Sequence, residues 1–82
     1  MRVLGQIPHP QIAITVFHMN EKYVIKLEAG QMEQVFKLPQ SEAGGVEDIG
    51  KLLDTEFMQK ALERFNDMFL SFKEARERKG IL

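Results

Sequence analysis

QIAITVFHMNEKYVIKLEAGQMEQVFKL, residues 11–38, decides the fold. Ile12, Ile14 and Val16, then Tyr23, Ile25 and Leu27, then Phe36 and Leu38 fall on alternate positions. That is the period of a strand with one buried face. Two interruptions, Met19-Asn20-Glu21-Lys22 and Ala29-Gly30-Gln31-Met32, supply turn chemistry. Centring a hairpin on the middle pair of each fixes a register: Val16 opposite Ile25, Ile14 opposite Leu27, Ile25 opposite Phe36, Tyr23 opposite Leu38. These apolar side chains then share one face, so pattern and turn position agree. The expectation is a three-stranded antiparallel β-meander over about 11–38. Its other face carries Ala13, Thr15, Lys26, Glu28, Glu33 and Lys37 around a small apolar cluster of Phe17, Val24 and Val35.

Working outward, Ile7-Pro8-His9-Pro10 must be extended, because each proline disfavours the helical region for the residue before it. Residues 1–10 therefore read as an extended N-terminal arm. Pro39 ends the sheet, and 39–45 reads as a loop, most flexible at Gly44-Gly45. Val46, Ile49, Leu52 and Leu53 recur at near-helical spacing, which suggests a short helix over 46–53, weakened by Gly50.

The last element is the most sharply delimited. Asp54 suits the N-cap, Glu56 the positive end of the helix dipole, and Leu53 with Met58 the two positions of a hydrophobic staple. Phe57, Met58, Ala61, Leu62, Phe65, Met68, Phe69, Phe72 and Ala75 form one stripe, with Lys60, Glu63, Arg64, Asp67, Glu74 and Arg78 off it. Lys73, Arg76, Arg78 and Lys79 suit the negative pole, and Gly80 followed by Ile81 fits a Schellman ending. A long amphipathic helix is expected over 55–79, and the whole of 1–82 reads as a single α+β domain.

A chain of 82 residues has room for one small core. It contains no cysteine and no zinc-ligand spacing, so the usual supplements to a small core are missing and oligomerisation is the expected one. Eleven Lys and Arg against twelve Asp and Glu give a net charge of −1, which does not attract a polyanion. No apolar run approaches the roughly 18 residues of a membrane span, and no signal-peptide pattern opens the sequence. A cytoplasmic location is the expectation.

Dimensions carry the functional expectation. Twenty-five helical residues span roughly 37 Å, whereas strands of seven or eight residues span roughly 24 to 27 Å. The helix should overhang its own sheet, leaving Phe65, Met68, Phe69 and Phe72, with off-stripe Leu70, as an interaction surface. A homodimer with antiparallel helix pairing about a two-fold axis fits this stripe. The intrachain alternative is that Met1 to Ile7 fold back over the overhang. Phe17, Val24 and Val35, or an exposed edge of the sheet, are further candidate surfaces.

Candidate chemistry is sparse. His9 and His18, the only histidines, would lie about 30 Å apart if the segment between them is extended, too far to share a metal. Between two prolines His9 is rigidly presented, while His18 reads as a cross-strand neighbour of Tyr23. Glu28 and Glu33 should face each other beside a turn, with Lys26 diagonal to Glu33, an arrangement that needs no cation. Ser41 and Ser71 have neither a histidine partner nor a strand-turn-helix elbow, and no phosphate-cradling glycine motif occurs. No catalytic residue, metal site or cofactor is expected. The sequence points to a non-enzymatic, self-associating protein–protein interaction module. The alternatives are a nucleic-acid-binding βββα module, disfavoured by the charge balance, and a small dimeric ligand-binding protein or enzyme with an intersubunit pocket.

Overall fold

The computed structural model describes residues 1–81. Four strands, β1 (Arg2–Ile7), β2 (Ala13–Met19), β3 (Lys22–Ala29) and β4 (Met32–Pro39), form one antiparallel sheet in that order. A 3-10 turn at Gln40–Glu42 leads to α1 (Val46–Leu52) and α2 (Thr55–Arg78), which end within a residue of their expected limits. The β2–β3 turn holds Asn20 and Glu21 at φ 50° and 62°, the two left-handed residues of a type I′ hairpin. At the β3–β4 turn the positive φ falls on Gly30, at 60°. With these turns the register is the one the alternation implies: Val16 pairs with Ile25, Ile14 with Leu27, Ile25 with Phe36 and Tyr23 with Leu38.

The sheet has one strand more than expected. Residues 2–7 are not a free arm but β1, with Arg2 opposite His18, Val3 opposite Phe17 and Ile7 opposite Ile14. The register shifts between Val3 and Gly5, marking a bulge at Leu4. In a regular strand Leu4 and Ile7, three residues apart, would point to opposite faces. The bulge absorbs the odd residue, and both pack against the core. That irregularity hides the strand from a period-two reading.

Ile12, Ile14, Val16, Tyr23, Ile25 and Leu27 bring the sheet to the core, Ile49 represents α1, and Met58, Ala61 and Phe65 represent α2. Where α2 meets β4 the seam is partly polar. Gln34 donates from Nε2 to the Ala61 carbonyl at 2.9 Å and accepts at Oε1 from Arg64 Nε at 2.8 Å. The Arg64 guanidinium also lies over the rings of Phe36 and Phe57, themselves edge-to-face at 5.3 Å. This fastens α2 to the edge strand of the sheet, while α1 lies by β1.

Both ends of α2 are closed as the sequence implies. Asp54 Oδ1 accepts from the Phe57 amide at 2.8 Å. At the other end Gly80 adopts φ 70°, and the Ile81 amide donates to the Arg76 carbonyl at 2.8 Å while the Gly80 amide donates to that of Glu77. This is the Schellman pattern. Between its caps α2 runs unbroken for 24 residues, about 36 Å. The molecule measures 46 × 27 × 18 Å with a radius of gyration of 14.7 Å, against about 12 Å for a compact chain of this length.

Candidate interaction surface

The apolar stripe of α2 continues past the point where the sheet can bury it. Met58, Ala61 and Phe65 are the buried residues of α2, and Phe65, at 6% exposure, is the last of them. One and two turns further on, Phe69 and Phe72 follow Phe65 along the same stripe, yet they are 55% and 51% exposed. Beneath them the β3–β4 turn stops short. The gap between turn and helix is a groove of about 690 Å³, with Met32, Phe65, Phe69 and Phe72 among its apolar walls and Lys73 and Arg76 at its rim. The Arg76 guanidinium sits 5.6 Å from the Phe72 ring centroid, within cation–π range.

The residues expected to form an interaction surface divide into four sets. Phe69 and Phe72 line the groove, and Met68 is half-buried against the core. Phe65 is a core residue whose edge closes the inner end of the groove. Leu70, 45% exposed, is absent from the groove wall, as its position off the stripe requires. The fourth set, Phe17, Val24 and Val35, lies on the opposite face of the sheet and is not brought near the helix. There Val24 is buried outside the core cluster, Phe17 is half-buried and Val35 is exposed. Val3, brought opposite Phe17 by β1, joins that patch. Sequence reasoning missed Val3 because it missed the strand.

The intrachain cover is not used. Residues 2–7 lie in β1, at the edge of the sheet farthest from β4 and from the α2 seam.

The polar candidates have structural partners. His9 Nδ1 accepts from the amides of Gln11 and Ile12 at 3.1 and 3.2 Å, so the ring ties down the bend that leads into β2. Across the ladder His18 stands opposite Tyr23, edge-to-face at 6.1 Å, and its Nε2 lies 2.7 Å from Gln40 Oε1. Tyr23 in turn donates its hydroxyl to the Ala43 carbonyl. Glu28 is opposite Glu33, and Lys26 pairs with Glu33 at 3.6 Å, the diagonal contact expected. Among the described residues no group of three or more His, Asp or Glu side chains is arranged to hold a metal ion. None of their charged side chains is buried, and no helix among them is long and apolar enough to cross a membrane. No family model, curated protein or solved structure matches this chain.

Proposed function

We propose that this protein is a non-enzymatic self-associating interaction module, and that its working surface is the distal half of α2 with the groove beneath it. The observation that carries the reading is the fate of one stripe: buried to Phe65, then half in water at Phe69 and Phe72, with no break in the helix. A phenylalanine side chain has roughly 200 Å² of surface, so these two leave roughly 200 Å² of contiguous ring exposed. A patch of this size is common on monomeric proteins; what marks this one is that it continues the buried stripe of α2 without a break in the helix.

A second copy of the chain is the occupant this reading assigns. A small domain with neither disulfide nor metal gains most from association, and a two-fold axis covers the exposed rings of both copies at once. Sedimentation equilibrium tests this directly. The wild type is expected to be dimeric at tens of micromolar, and Phe72→Glu, which places a carboxylate in the covered patch, to be monomeric yet folded by circular dichroism. A wild type that sediments as a monomer at that concentration overturns the proposal.

A further inference from the structure

The two edges of the sheet are not equally protected. β1 spans six residues and is bulged at Leu4, the kind of irregularity that turns an edge away from other strands. β4 spans eight residues, shows no register shift against β3, and meets proline only at its last position, Pro39. Among the described residues its outer side has no strand partner. A regular edge of this length is a template for strand addition.

The side chains of β4 specify which strand fits it. Its solvent face reads Glu33, Val35, Lys37, all exposed. Turned end for end, the same row reads Lys, Val, Glu. We propose that β4 pairs antiparallel with β4 of a second copy, on a two-fold axis through Val35. Val35 then faces the partner's Val35, and Glu33 faces the partner's Lys37, with the reciprocal pair on the other side of the axis. On the inner face the same register sets Met32 opposite the partner's Leu38 and Gln34 opposite the partner's Phe36. A lone lysine on an edge disfavours strands that would bury its charge or set another cation opposite it. A glutamate four residues from it on the same face makes the edge selective for its own copy.

The axis is normal to the sheet, so both α2 helices lie on one side of the joined sheet and run antiparallel. This rests on the self-association reading for the existence of a dimer, and on β4 alone for where the second copy attaches.

The chain has no cysteine, so Val35→Cys introduces a single thiol. Opposed residues of an antiparallel pair have Cα atoms about 4.5 to 5.5 Å apart, inside the range of about 4.4 to 6.8 Å that a disulfide spans. Mild oxidation is expected to link Val35→Cys into covalent dimers nearly quantitatively. Thr15→Cys, on the same face but on an inner strand, reports random collision and should link slowly. Charge reversal supplies the second arm. Glu33→Lys and Lys37→Glu each place like charges across the axis twice and should weaken the dimer about tenfold or more, while the double variant Glu33→Lys/Lys37→Glu should return to within about threefold of wild type. A dimeric wild type in which Val35→Cys links no faster than Thr15→Cys, or in which the double variant stays weak, overturns the β4 pairing and leaves self-association standing. A monomeric wild type overturns both.

Discussion

Phe65 and Phe72 occupy the same stripe of α2 seven residues apart, and truncating each to alanine separates the core from the candidate surface. Phe65 is enclosed by Met58, Ala61 and the sheet, so Phe65→Ala leaves a cavity and should cost about 3 to 5 kcal/mol. A chain of this length has about 4 to 12 kcal/mol in all. Phe72 keeps only half its surface covered within one molecule. Roughly 100 Å² at about 25 cal/mol per Å² bounds Phe72→Ala at about 2.5 kcal/mol in an isolated chain, less what the alanine retains.

If a second copy covers the ring, that cost grows with protein concentration, because dissociation is then coupled to unfolding. Urea titrations at 1 and 100 µM read this out. A hundredfold change in concentration is worth about 2.7 kcal/mol per dimer. With a slope of about 1 kcal/mol per molar for each small chain, the wild-type midpoint should rise by about 1 M or more. For Phe72→Ala the rise should largely vanish, and for Phe65→Ala, where folding survives, it should persist. Wild-type and Phe72→Ala midpoints that are both independent of concentration would refute the reasoning.

Two local predictions follow from the backbone. Asp54→Ala removes the acceptor of the Phe57 amide and should cost about 1 kcal/mol in thermal or urea unfolding, with no change in sedimentation at concentrations where the chain stays folded. Glu21 holds a left-handed φ of 62° that suits glycine better. Glu21→Gly should therefore stabilise the fold, by up to about 1 kcal/mol or a rise in melting temperature of a few degrees, and a lower melting temperature would count against the I′ assignment.

The parts of the fold legible in the sequence are those where one local rule acts alone. Ile12 to Leu38 alternate cleanly between turns of fixed length, so strand limits and register both follow. Asp54, Gly80 and Ile81 mark the ends of α2 by capping chemistry that depends on neighbours in the chain. β1 was not legible because two signals conflict there. Leu4 and Ile7 are spaced as no regular strand requires, and Pro8 and Pro10 separate the segment from the strand it pairs with. The interaction surface was legible in part. The overhang follows from counting residues, and with it the exposure of Phe69 and Phe72. The groove wall formed by the β3–β4 turn, and the Gln34–Arg64 seam that fixes α2 to the sheet edge, depend on where the helix lands, which periodicity does not encode.

The place of β1 sharpens the self-association reading, because it commits residues 2–7, the segment expected as the intrachain cover of Phe69 and Phe72. Residues 2–7 are hydrogen-bonded to β2 at the far edge, leaving water or another chain over those rings. Covering them in both copies removes roughly 400 Å² of apolar surface, about 10 kcal/mol at 25 cal/mol per Å². Association costs about 4 to 15 kcal/mol in lost translation and rotation. The ring patch by itself therefore sits near break-even, and a dimer built on it alone would be weak. A second contact is what would carry the balance toward micromolar or tighter affinity. β4 supplies a regular edge, backbone hydrogen bonds and two charge pairs, and it does so on the side of the sheet to which Gln34 and Arg64 fasten α2.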